Sequence, residues 1–152
     1  MTTESSVQKP PPAWLFALAA LLSLGGLADS IYLTVIHLTG DDVVCIASSG
    51  CSEVLSSAYA SVGKIPLGAF GVFGYFVAFS LATLAAFGSA RAATFLAIVV
   101  SAMFATTLWL LYVQAFVLHA FCDYCLLSAS LTTLLAVVVA VSCLIGKKRR
   151  AG

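Results

Sequence analysis

Apolar residues in this chain come in long unbroken runs rather than at the one-sided or alternating spacings of a soluble fold. Ala13 to Ala28, continuing past Asp29 to Leu38, then Pro66 to Ala90, Ala92 to Phe121 and Tyr124 to Gly146 carry no charge apart from Asp29. Each run reaches the roughly 20 residues that a helix rising 1.5 Å per residue needs to cross a hydrocarbon core of about 30 Å. With no water in lipid, a helix is how each run satisfies its own backbone, and strands are not supported. The pattern predicts spanning helices over 13–38, 66–88, 91–120 and 123–145. Pro10-Pro11-Pro12 opens the first, Pro66 suits the first turn of the second, and Gly88-Ser89 breaks the chain before the third.

The 39–65 loop has a different rhythm. Val54, Leu55, Ala58, Tyr59 and Val62 recur at helical spacing, and Ser52, Glu53, Ser56, Ser57 and Ser61 fill most of the gaps. A short helix lying in the interface is expected there. Residues 1–12 and 147–152 remain as short tails. The fold class is thus an all-α integral membrane protein, one four-helix bundle with an outer loop carrying an interfacial helix.

Composition removes whole classes of function. Of 152 residues, 62% are hydrophobic and 9% charged, about a third of the charge of a typical soluble domain. Mean hydropathy is +1.11, and a soluble monomer is excluded. Seven Lys and Arg against six Asp and Glu leave a net charge of +1, with no basic face to hold phosphates, so nucleic acid is excluded as a partner.

The placement of those charges sets an orientation. Lys9, Arg91, Lys147, Lys148, Arg149 and Arg150 fall on one side of a four-span chain and only Lys64 on the other, so both termini are expected in the cytoplasm. Asp41, Asp42, Glu53 and Asp123 then lie on the extracytoplasmic face. The first apolar run has one preceding Lys and no clear small-residue cleavage site, so the first helix is expected to be retained.

Five cysteines among so few polar residues carry the candidate chemistry. Cys45 and Cys51 lie in the outer loop, while Cys122 and Cys125 lie where the third helix hands over to the fourth, all four on one side of the membrane. The Cys122-Asp-Tyr-Cys125 spacing allows one bridge. A helix start at Cys122 offers free N–H groups and the positive end of the dipole, which favour thiolate, while Asp123 opposes it. Cys122 is therefore the expected attacking sulfur. Cys125, one turn deeper, is expected to face the bundle interior, where an apolar oxidant can approach. The Cys45 and Cys51 pair, with Ser48-Ser49-Gly50 between them, suits a small mobile disulfide loop. A mobile outer pair and a fixed inner pair form a two-step thiol–disulfide relay. The alternatives are structural disulfides, or a four-thiolate zinc site that the membrane position and the lack of suitably spaced His disfavour, so no metal is expected.

The loop pair followed by a CxxC at the start of the last helix, with Cys51-Ser-Glu-Val-Leu-Ser-Ser57, Gly63-Lys-Ile-Pro66 and Phe121-Cys-Asp-Tyr-Cys125, resembles the vitamin K epoxide reductase family and its bacterial members over residues 13–145. The DsbB thiol oxidases have the cysteine pairs in the reverse order. The resemblance implies that Cys45 exchanges with a soluble partner, Cys51 passes electrons to Cys122, Cys125 faces a quinone, and Ser57 lines the quinone site. It implies a ubiquinone, menaquinone or vitamin K type quinone as electron acceptor, in a bacterial cytoplasmic membrane.

Two departures bear on function. Many bacterial members continue into a thioredoxin-like domain, whereas this chain stops at Gly152, so a separate thioredoxin-fold, DsbA-like protein is the expected thiol donor. The vertebrate enzyme has a tyrosine four residues after the second CxxC cysteine, where this chain has Ala129, which favours quinone over epoxide as substrate. The expected activity is oxidation of the DsbA-like partner, at about −120 mV, by a more oxidising quinone, in support of disulfide formation. The alternatives are vitamin K epoxide or quinone reduction as the main output, and a non-enzymatic tetraspan protein stabilised by disulfides.

Asp29 is the one charge within a span, and a charge at depth costs at least about 2.5 kcal/mol, so a role beside the quinone or in proton handling is weighed against hydrogen bonding within the bundle or reach toward the outer headgroups, which the sequence favours. His37 and His119 lie near outer helix ends, where proton relay competes with interfacial packing. Gly68, Gly71 and Gly74 fit close helix packing. Cys143 reads as an ordinary buried thiol.

Overall fold

The computed structural model describes residues 12–40 and 50–151. Helix α1 (Ala13–Thr39) begins after Pro12, whose carbonyl accepts the Leu15 N–H at 3.1 Å, and ends at Gly40, where a φ of 71° lets the chain turn and its N–H close on the Ile36 carbonyl. Helix α2 (Cys51–Ser56) is a short outer segment. Strands β1 (Ser61–Val62) and β2 (Ile65–Pro66) pair antiparallel, Ser61 opposite Pro66 and Val62 opposite Ile65. Helix α3 (Leu67–Ala86) follows at once. Helix α4 (Ala90–Tyr112) is capped by the Ser89 hydroxyl, which accepts the Ala92 N–H, and runs on as a wider π-helical turn over Val113–Leu118. Helix α5 (Asp123–Ala151) completes the chain.

Four of these helices, α1, α3, α4 with its extension, and α5, are long and apolar enough to cross a membrane. The fold is an all-α membrane bundle. Helix α1 packs on α3 and α5, and α4 packs on the same two, so α1 and α4 stand on the diagonal. One face of α1 turns inward, with Phe16, Ala19, Ser23, Gly26, Ser30 and Leu33 buried at steps of three and four residues.

The outer segment holds a short helix, as expected, but over Cys51–Ser56 and not on through Val62. The helix stops at Ser56 because Ser57 is extended, at φ −67° and ψ 157°. The two-residue strands then take over: β-branched Val62 and Ile65 suit extended backbone, and Gly63, at φ 67°, makes the turn between them.

Close approach between α1 and α3 depends on missing side chains. A Cβ on Gly71 would stand 2.6 Å from the Ser30 hydroxyl, and one on Gly68 would stand 2.7 Å from that of Thr34. In lipid, where tails are as apolar as side chains, such contact is what holds helices together.

Candidate redox site

The site is assembled from the start of α2, the link between α4 and α5, and the outer half of the bundle. Gly50 precedes α2 and its carbonyl accepts the Val54 N–H at 2.9 Å. A Cβ there would lie 2.9 Å from the Phe121 carbonyl oxygen and 3.0 Å from the Ala120 Cβ, so only glycine lets α2 sit this close to the link. Cys51, fully buried, is disulfide-bonded. It shares one buried cluster with Val54, Ala120 and Cys122, against which Leu55, Leu118, Tyr124 and Cys125 pack. Cys45, Asp41 and Asp42 lie outside the described residues.

Cys122 sits just ahead of the first residue of α5, and its carbonyl accepts the Leu126 N–H at 3.0 Å. Its sulfur receives hydrogen bonds from the Cys125 thiol and from the backbone N–H groups of Tyr124 and Cys125. A helix start leaves such N–H groups without intrahelical partners, and here a sulfur takes them. The Cys125 thiol is the largest influence, and together with the N–H groups it pulls Cys122 down to about 7 against burial and the Asp123 carboxylate. Cys122 and Cys125 are free thiols. Asp123 therefore opposes the thiolate, as the sequence suggests, and does not prevail.

The link itself is shaped by the π-helical turn. The Gln114 carbonyl accepts N–H groups from both His119 and Ala120, and His119 takes a left-handed φ of 51°, which redirects the chain into Cys122. The Gln114 side chain, 4% exposed, accepts the Cys122 N–H on Oε1 at 3.3 Å.

Inside these elements lies a cavity of about 430 Å³, within the ordinary size range for small-molecule sites. Its wall is mainly apolar, with Leu33, Leu55, Phe70, Phe73, Met103 and Leu110 among its residues. Cys125, Ser57 and Ala129 line it as well, and Cys122 does not. Ser57 donates its hydroxyl proton to the Val54 carbonyl at 2.7 Å, which leaves its oxygen free to accept.

Asp29 is buried at 8% exposure, and its Oδ2 has no hydrogen-bond partner among the described residues. It lies within electrostatic reach of Cys125 but is not part of the cavity wall, to which α1 contributes Ser30, Leu33 and His37. Among the described residues no three His, Cys, Asp or Glu side chains converge as a metal site.

The model of the vitamin K epoxide reductase family matches residues 17–140, a span that takes in both cysteine pairs, Ser57 and Asp29. The chain belongs to the vitamin K epoxide reductase family. Members of this family are membrane thiol–disulfide oxidoreductases and quinone reductases, and that general activity is the one this chain carries.

Two residues of this family member's site escaped the sequence reading. Tyr75 is 2% exposed, and its hydroxyl bonds to the Ser128 carbonyl at 3.0 Å, the Ser128 hydroxyl at 3.0 Å and the Thr132 hydroxyl at 2.7 Å, clamping α3 to α5 beside the cavity. A Cβ on Gly26 of α1 would run into the Tyr75 ring. Gln114 is the other. The available signal for both was a polar group within an apolar run, which in lipid is a functional or packing group by default. One expectation needs correction: Cys143 is exposed rather than buried, because it lies on the outer surface of α5.

Proposed function

We propose that this protein oxidises a thioredoxin-fold, DsbA-like dithiol and passes the electron pair through Cys45–Cys51 and then Cys122–Cys125 to a membrane quinone. The observation that carries the reading is the division of labour at the CxxC. Cys122, pulled down to about 7, packs in one cluster with disulfide-bonded Cys51, while Cys125 opens on an apolar cavity.

In this relay the partner's thiolate attacks Cys45, opens its bond to Cys51, and leaves by forming its own disulfide. Cys51 thiolate then attacks Cys122 of the oxidised inner pair, releasing Cys125. Cys45 attacks Cys51 to restore the outer disulfide and frees Cys122. The inner dithiol, on rejoining as a disulfide, gives two electrons to the quinone, and two protons follow to make the quinol. A bonded Cys51 beside free Cys122 and Cys125 corresponds to the stage just before that last step.

Ser57, with an oxygen free to accept, serves the quinol hydroxyl. Asp29, buried with one oxygen unpartnered and in electrostatic reach of Cys125, serves as a proton acceptor for that thiol. Ala129 lines the cavity with a methyl where a tyrosine is associated with epoxide chemistry, which supports quinone as the substrate. Clustering of Lys9, Arg91, Lys147 and Lys148 supports cytoplasmic termini in a bacterial cytoplasmic membrane, with the cysteine pairs outside.

The test is quinone-dependent oxidation of a reduced DsbA-like protein by the purified chain. A Cys125→Ser variant loses turnover, and a Cys125→Ala variant accumulates a Cys51–Cys122 disulfide seen by mass spectrometry of non-reduced peptides. Full turnover by Cys125→Ser rules the relay out, and a dominant Cys45–Cys122 link reverses the roles of the loop cysteines. Stronger turnover with the epoxide than with the quinone moves the physiological substrate.

A further inference from the structure

Of the polar groups around the cavity, several are already committed. Ser57, Thr106 and Thr132 give their hydroxyl protons to the carbonyls of Val54, Ala102 and Ser128, and Tyr75 is held by Ser128 and Thr132. Gln114 is different. Its Oε1 is fixed by the Cys122 N–H, and only the oxygen end of a carboxamide accepts from an N–H, so the orientation of the amide follows from the network. Its Nε2 carries two protons, and no group among the described residues accepts either.

Gln114 is 96% buried by residue, yet the sealed side-chain atom without a partner among the described residues is Asp29 Oδ2 and not Gln114 Nε2. The amide nitrogen therefore keeps access to open space, and Gln114 lines the cavity. A buried N–H without an acceptor is costly, and a ligand oxygen placed there removes that cost. Ser30, Tyr59 and Thr107 line the cavity with hydroxyls, and His37 with its imidazole, to which no hydrogen bond among the described residues is committed, but none of the four is joined to the redox pair.

We propose that the Gln114 carboxamide donates a hydrogen bond to one carbonyl oxygen of the bound quinone. This rests on the quinone reading above and assigns a specificity-determining contact within it. One amide then holds the acceptor with its nitrogen and the Cys122 backbone with its oxygen, fixing the quinone relative to the CxxC. As the electron pair arrives, the carbonyl oxygen gains negative charge and the N–H bond to it strengthens, in a low-dielectric site where a preoriented donor counts most. The carboxamide transfers no proton. It favours a ligand with a strong acceptor oxygen over an apolar occupant of the same shape.

The experiment uses the full chain in lipid vesicles, with menadione and a short-chain ubiquinone as probes, in wild type, Gln114→Glu and Gln114→Met. Glutamate keeps an oxygen for the Cys122 N–H, whereas methionine keeps the length alone. Two readouts are taken: the KM for each quinone, and the infrared carbonyl band of 13C-labelled menadione. The wild type shows a band shifted down from that in plain vesicles. The methionine variant loses the shift and raises KM about tenfold, the size of one hydrogen bond. A methionine variant with wild-type KM and band overturns the proposal, since no donor at position 114 would then be needed. If the wild type reduces neither quinone, the function proposed above falls and this contact with it.

Discussion

At the end of the bundle that holds Arg91 and Lys147, the helices meet through Ala19, Ala78, Ala82, Ala85, Leu96 and Leu135, all buried in one apolar cluster. At the opposite end the same helices part around a cavity, and the second buried cluster is built of Cys51, Val54, Ala120 and Cys122. Small side chains close the first end because lipid offers no hydrophobic drive for helix association, so close contact has to supply it. At the second end Phe70, Phe73 and Tyr75 on α3 and Val113, Gln114 and Leu118 of the π-helical turn line that cavity. The closed half holds the helices in register; the open half carries Cys51, Cys122 and Cys125. Tyr75 joins the two, with its ring against Gly26 and its hydroxyl on α5.

This division is breakable from either side. The largest effect is expected at the open end from Gly50→Ala, which forces backbone to move at Phe121 and draws Cys51 away from Cys122. Displacement of reacting groups by about 1 Å costs about a hundredfold in rate, so formation of the Cys51–Cys122 disulfide in a Cys125→Ala background slows by that factor while the helical circular dichroism is kept. At the closed end, Leu96→Ala empties a fully buried position. It lowers stability by about 2 kcal/mol, the low end for such a truncation because in lipid no transfer from water is at stake. Thermal unfolding reads this loss, and turnover of the folded protein stays unchanged.

Tyr75→Phe tests the joint. It removes the hydroxyl from Ser128 and Thr132 and costs about 1 kcal/mol, with an accompanying change in quinone KM because the residue also lines the cavity. The smallest effect is a shift in titration. Cys122 is lowered to about 7, so its thiolate is full above that pH and falls as pH drops through it. Cys125→Ala takes away the largest cause, and the midpoint climbs toward the ordinary value of about 8.5, read from ultraviolet thiolate absorbance. A midpoint left in place would mean that the N–H groups of Tyr124 and Cys125 do the work alone.

Much of the closed end was legible in the sequence and little of the open end. Uncharged runs report helices in lipid, since bilayer thickness fixes their length and the backbone fixes their form. Gly68 and Gly71 were readable as contact points for the same reason. Cys122 at a helix start was readable too, because the CxxC follows immediately on the end of an apolar run. By contrast, the strand pair at 61–66 interrupts what periodicity shows as one helix, and the π-helical turn leaves no trace in hydropathy. Asp29 stood out by charge, yet it does not line the cavity, whereas Gln114, without charge, does.

The amino-acid sequence by itself determined that the chain carries four helices long and apolar enough to cross a membrane, and which residue types are available for redox chemistry, because those follow from local length, polarity and composition. Only the tertiary structure decided which sulfur meets which. Cys51 and Cys122 are 71 positions apart, and their shared cluster depends on a glycine against a carbonyl and on a left-handed residue at 119. Contacts of that kind arise from packing among distant segments, and no local pattern encodes them.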